Sequence, residues 1–300
     1  MKKTSIISPS EKNITSENFP VASWVIPKSL RNDIVTLYNF ARTADNIADN
    51  PKLSDTIKLA KLDQFDSAIS ASSVNRNQPL AIRDMIFSLK KTGINISYCI
   101  NLITAFKQDI SKNRYKTWLE LINYCQLSAA PIGRYLIDLN GGFITPDNNY
   151  YKHSDALCTA LQILNHLQDC KDDLNELDRV YIPEDIMAAC NTSIKDLKAN
   201  RSTPEFQRCK IEIIDRVDKL IYDSEQLPNK LKSKRLAIET CVIINIARAL
   251  SKKLRIHDPL VFRIKLSKLH FFWCFLFGII NFSRIFINSS IRWRTSKHLV

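Results

Sequence analysis

The stretch "LYNFARTADNIADNP", residues 37–51, decides how the chain is read. Leu30, Ile34, Leu37, Ala41, Ala44 and Ala48 recur at alternating intervals of four and three, the stripe of a helix lying against a core. Beside it runs a polar stripe, Tyr38, Arg42, Asp45 and Asp49, at the same spacing. Asp45 and Asp49 are four residues apart and stack on one helix face, where like charges cost roughly 0.2–0.5 kcal/mol. Folding needs no such pair. Two stacked carboxylates at the margin of a buried face suit a cavity wall that holds something cationic.

The pattern returns in "LQILNHLQDCKDD", residues 161–173. Asn165, Asp169 and Asp173 stand at i, i+4 and i+8, with Gln162 one turn before Asn165. Leu157, Leu161, Leu164 and Leu167 supply that helix's apolar side. Carboxylate and amide oxygens are hard ligands matched to Mg²⁺, with Mn²⁺ as the alternative. Two such helices facing each other would clamp metal ions, which would hold a diphosphate and carry its charge as a C–O bond ionises. A solvated helix face is the plain alternative for either stripe, and two stripes weaken it. His166 reads as a packed or hydrogen-bonded histidine rather than a ligand.

Composition narrows the fold. Of 300 residues 45% are hydrophobic, enough for a sizeable core, and only five are glycine. None of those glycines builds G-x-G-x-x-G or G-x-x-x-x-G-K, which argues against the common nucleotide-binding α/β folds; no nicotinamide cofactor is expected. The periodic segments predict an all-α, single-domain chain, with helices over 29–49, 55–72, 79–91, 95–111, 116–139, 153–174, 204–226, 232–254 and 260–282. "DLNGGF", residues 138–143, closes one of them with glycines. The eight cysteines are scattered singly without a C-x-x-C, so unpaired thiols and no zinc are expected. The N-terminus has lysines but no apolar run of a secretory signal, and a cytoplasmic location follows as the expectation.

Charge is uneven. Residues 251–300 hold ten Lys/Arg and one acid, Asp258, a net +9 of the chain's +13. Within them "LHFFWCFLFGIINF", residues 269–282, is apolar and aromatic, but shorter than the roughly 20 residues that span a bilayer. Bases that bind nucleic acid usually interleave with aromatics, and here the aromatics form one block, so no nucleic-acid partner is expected. Peripheral attachment to a membrane surface fits better.

"SENFPVASWVIPKSLRNDIVTLYNFARTADNIAD", "YCQLSAAPIGRYLIDLNG" and "LQILNHLQDCKDDLNELDRVYIP" together resemble the squalene/phytoene synthase family, and within it the bacterial branch that makes hydroxysqualene. The likeness runs from about residue 15 to about residue 268, leaving residues 1–14 as a flexible N-terminus and 269–300 as a basic, aromatic tail. It implies an isoprenoid synthase-type helical bundle with a central apolar channel. It also implies a metal clamp of Asp45, Asp49, Asn165, Asp169 and Asp173, with Arg42 and Gln162 toward the diphosphate. Tyr124 falls where the family has an aromatic at the cavity, Ser16 and Phe19 in a segment closing over the diphosphate, and Arg179 and Tyr181 in the bordering "RVYIP". The substrate implied is presqualene diphosphate, or farnesyl diphosphate for a synthase that joins two prenyl chains; a non-catalytic membrane-associated relative is the remaining alternative. Two departures stand out: Asn46 follows Asp45 where relatives usually have a second Asp, and Gln168 stands where chain-joining synthases often have Arg. The inner face of the membrane is the implied location.

Overall fold

The stripe that begins at Leu30 forms helix α1, Lys28–Ala48, in a computed structural model that describes residues 26–145 and 151–297, with side chains through residue 284. Pro27 precedes it with φ −53°, a ring-fixed angle that sets the chain's entry into the helix. The buried face is rotated slightly from the expected stripe: Leu37, Phe40, Ala44 and Ala48 are buried, whereas Leu30 and Ala41 are half-buried. Phe40 has the most apolar surface to hide, so it takes the core and turns Ala41 toward a cavity.

Helices α2 (Asp55–Ala71), α3 (Leu80–Thr92) and α4 (Ser97–Ser111) close around α1. Their shared core contains Phe40, Leu62, Phe65, Ile82, Met85 and Leu102. Each such side chain contributes about 1.5–3 kcal/mol on burial. Ser54 caps α2 by accepting from the Ile57 amide. Asp33 ties α1 to α3, accepting from Ser88 Oγ at 2.9 Å and Lys91 Nζ at 2.8 Å.

The single helix expected over 116–139 is two, α5 (Trp118–Ser128) and α6 (Ala130–Leu139). Pro131 is the cause: it has no N–H to donate, and its ring clashes with the carbonyl of the preceding turn. It is tolerated only in the first turn of a new helix. At the far end Gly141 (φ +92°) and Gly142 (φ +77°) make a turn that residues with a Cβ rarely adopt.

Helix α7 (Lys152–Leu177) is the central strut. Arg134 on α6 grips it with two bonds to Asp155, Nε–Oδ1 at 2.9 Å and Nη2–Oδ2 at 2.6 Å. The two helices approach so closely at Gly133 that an added Cβ would lie 2.6 Å from Cys158 Sγ. Short α8 (Glu184–Ala189) and α9 (Ile194–Leu197), then α10 (Pro204–Ser224), short α11 (Leu227–Lys230) and α12 (Lys234–Ile256), complete a second core with α7. It holds Leu164, Phe206, Ile213, Ile214, Val217 and Leu250.

The last helix, α13 (Lys268–Lys297), starts later and runs longer than the expected 260–282. Residues before it are held in an irregular course by side chains: Asp258 accepts from the Ser202 amide at 2.7 Å and the Leu260 amide at 3.0 Å. Among the described residues there is no strand, only two isolated bridges, and no helix is long and apolar enough to cross a membrane. All eight cysteines are free thiols, as expected.

Between the two cores lies a predominantly apolar cavity of about 270 Å³. Its walls come from α1 (Leu37, Tyr38, Ala41), α6 (Ile132, Gly133, Leu136), α7 (Leu157, Leu161, Gln162, Asn165) and α12 (Leu236, Glu239, Thr240, Ile243).

Candidate active site

The two polar stripes leave the cavity side by side. Tyr38 and Asn165 line it, and one helical turn beyond each stand Arg42 and Asp169. A further turn brings Asp45 and Asp173, and one more brings Asp49. The two motifs act on one another: burial raises the Asp173 carboxyl to about 8, helped by the charges of Asp169 and Asp49 and opposed by Arg179. Burial likewise raises Asp45 to about 7, with Asp49 adding to the shift and Arg42 opposing it.

Three arginines answer these acids. Arg42 Nη1 donates to Asp45 Oδ2 at 2.8 Å, while its Nε is buried without a hydrogen-bond partner among the described residues. Arg179 Nη2 pairs with Asp49 Oδ1 at 2.8 Å. Arg263 grips Asp169 with both Nε and Nη2, the latter at 2.7 Å from Oδ2. Asp173 has no ion-pair partner among the described residues.

Beneath this layer lies a buried hub. Asp109 on α4, 5% exposed, accepts from Tyr124 at 2.8 Å and Tyr181 at 3.0 Å, and Arg179 Nε donates to its backbone carbonyl at 2.9 Å. Burial lifts the Asp109 carboxyl to about 6, against the opposing Arg179 charge. The Tyr181 ring stacks on His166 with centroids 3.6 Å apart, and Gln162 Nε2 meets His166 Nε2 at 3.2 Å. Burial and the Arg179 charge push His166 down to about 3, so it is a neutral, packed ring, as expected.

The structure brings together Arg42, Asp45, Asp49, Asp169, Asp173 and Arg179 and sets Gln162 and Asn165 on the cavity wall. Tyr124 is different: expected at the cavity, it lies under the acids with its hydroxyl committed to Asp109. Ser16 and Phe19 lie outside the described residues. Asn46 is half-buried beside Asp45, and Gln168 is buried, bonding the Ile264 carbonyl from its amide. Asp109 and Arg263 were not foreseen. Neither belongs to an i, i+4 acidic pattern, so periodicity carried no signal for them.

The donors suit a hard divalent cation. Four carboxylates (Asp45, Asp49, Asp169, Asp173) stand against three arginines, and Asp173, half-buried, has no ion-pair partner among the described residues. Among the described residues no three Asp, Glu, His or Cys side chains converge into a ready metal site; arginines pair with Asp45, Asp49 and Asp169.

Residues 13–270 match the family model for squalene/phytoene synthase, and the chain belongs to that family. It is 37% identical over 262 residues to a hydroxysqualene synthase of Rhodopseudomonas palustris, covering 87% of each chain. A hydroxysqualene synthase of Sinorhizobium fredii is 36% identical over 253 residues, 84% of each. Among solved structures, a squalene synthase from Alicyclobacillus acidocaldarius superposes with a TM-score of 0.69 at 28% identity, covering 78% of this chain and 86% of that one. A dehydrosqualene synthase, at 18% identity, shares the fold with a TM-score of 0.73 over 90% of this chain and 94% of its own.

Proposed function

We propose that this chain ionises presqualene diphosphate and captures the resulting cation with water, giving hydroxysqualene and diphosphate. The observation that carries the reading is the pair of acidic motifs, one at the end of α1 and one on α7, whose charges act on one another beyond the same apolar cavity. Its likeness to hydroxysqualene synthases over most of the chain supports the same conclusion.

Asp45, Asp49, Asn165, Asp169 and Asp173 would hold Mg²⁺ or Mn²⁺. A divalent cation bound there supplies the charge that stabilises diphosphate as it departs. Arg42, whose buried Nε lacks a hydrogen-bond partner among the described residues, and Arg179, which pairs with Asp49, would donate to phosphate oxygens. Tyr181 and Tyr124, anchored on Asp109, hold the floor beneath the acids and fix Arg179 through the same residue. Leu37, Leu157 and Leu161 shield a carbocation from stray water along the cavity. Ionisation breaks one C–O bond, capture forms another, and the water's second proton leaves to solvent or diphosphate. No electrons are gained or lost, so the step needs no nicotinamide. The enzyme would work at the cytoplasmic face of a membrane, where a C30 substrate resides.

Purified protein with Mg²⁺ and presqualene diphosphate should yield hydroxysqualene by mass spectrometry. Conversion of farnesyl diphosphate alone to a C30 or longer product would overturn the reading in favour of a chain-joining synthase.

A further inference from the structure

Helix α13 is apolar on two opposite faces, and the fold uses one of them. Phe271, Cys274 and Phe275 pack against Val242 and Ile246 of α12. The backbones approach so closely that a Cβ on Gly278 would lie 2.9 Å from the Val242 amide nitrogen. On the opposite side Leu269, Phe272, Trp273, Leu276, Phe277 and Ile280 are exposed, Phe272 by 58% and Phe277 by 51%. At 3.6 residues per turn these six fall within an arc of about 140° and extend about 17 Å along the axis. Scattered surface apolar residues are ordinary, but a continuous aromatic stripe on one helix marks an interaction surface.

The charges around the stripe select its occupant. Lys265 and Lys268 are exposed at one end and Arg284 at the other, and residues 259–300 contain no acid at all. A second copy of the chain would bring the same positive field against this one, and the two would repel. An anionic bilayer complements it, with the rings in the acyl boundary and the bases at the headgroups. We infer that the exposed face of α13 docks the protein, lying in the plane, on the surface of an anionic phospholipid membrane.

The inference deepens the catalytic reading and rests on it for its purpose, though not for its geometry. Helix α12 lines the cavity with Leu236 and Ile243 and carries α13 on its other side with Val242 and Ile246. A docked α13 therefore holds the apolar cavity one helix away from lipid.

The test uses the full chain and vesicles of phosphatidylcholine, with or without about a third phosphatidylglycerol. The wild-type protein should co-sediment with the anionic vesicles, at least tenfold more than with neutral ones, and lose binding as salt rises. The variant Phe272→Ser/Trp273→Ser/Phe277→Ser changes only exposed side chains and should keep its thermal midpoint while losing binding at least tenfold. Equal binding by wild type and variant, or no binding by the wild type, overturns the proposal. So does a lipid-free dimer that the triple variant abolishes, which would assign the face to a second copy. Turnover of presqualene diphosphate in detergent micelles reads the catalytic proposal separately. Docking without turnover supports this inference and sinks that reading; turnover without docking does the reverse.

Discussion

Replacing Asp173 by asparagine should make the metal-free protein more stable and the metal-loaded protein less so. In the structure Asp173 is half-buried, lacks an ion-pair partner among the described residues, and faces the charges of Asp169 and Asp49. Its carboxyl is raised from 3.8 to about 8 by burial first and those charges second. The sign follows directly. A carboxyl whose folded pKa exceeds its unfolded value destabilises the fold when ionised, so wild-type stability falls as pH rises from about 4 to about 8 and levels off above. At 1.36 kcal/mol per pKa unit the full shift is on the order of 6 kcal/mol. Partial exposure and joint titration with the neighbouring acids reduce that severalfold, and we expect a gain of about 1–2 kcal/mol for Asp173→Asn at pH 8. For a chain of this size that is roughly 2–6 °C in thermal midpoint. Differential scanning fluorimetry in EDTA at pH 5 and pH 8 measures it: the advantage should be larger at pH 8. Adding Mg²⁺ and inorganic diphosphate should then stabilise the wild type and leave the variant unmoved. A variant less stable than wild type in EDTA at pH 8 would refute the argument, because the carboxylate would then be making a net favourable contact in the bare fold.

Asp45→Asn and Asp169→Asn should each abolish turnover while far-UV circular dichroism stays helical; full activity in both would falsify the metal clamp. Gly133→Ala gains about 1 kcal/mol of helix propensity but sets a Cβ against Cys158, an overpacking of about 1–3 kcal/mol, so urea unfolding should show a net loss of about 1 kcal/mol. A more stable variant would mean that α6 and α7 are not so tightly apposed. Asp109→Ala leaves the Tyr124 and Tyr181 hydroxyls without their acceptor and should lower the urea midpoint by an equivalent of about 1–3 kcal/mol, with turnover falling as Arg179 and Tyr181 lose their anchor. Unchanged turnover would reduce Asp109 to a packing role.

The acidic stripes were legible because a helix repeats every 3.6 residues and two carboxylates on one face have no folding rationale. The same periodicity located α1, α7 and α10 to within a few residues. It failed where a local covalent fact outranked it: Pro131 cuts the expected helix over 116–139 in two, although the apolar pattern runs through. It failed again before α13, where Asp258 and Gln168 hold the chain off the helical path through contacts distant in sequence. Asp109 and Arg263 were invisible for a related reason. Each matters only through a partner contributed by another element, Tyr181 for one and Asp169 for the other. The family resemblance placed Tyr124 near the chemistry, but only the packing shows its hydroxyl turned to Asp109.

The central claim is that the chain's two acidic helices promote C–O ionisation followed by capture of water, and oxygen labelling tests it most directly. Presqualene diphosphate and Mg²⁺ are incubated with the purified protein in H₂¹⁸O, and both products are weighed by mass spectrometry. The account predicts a C30 alcohol carrying one ¹⁸O and diphosphate carrying none. An unlabelled alcohol with ¹⁸O in the phosphate would mean that the P–O bond breaks instead, and would contradict it.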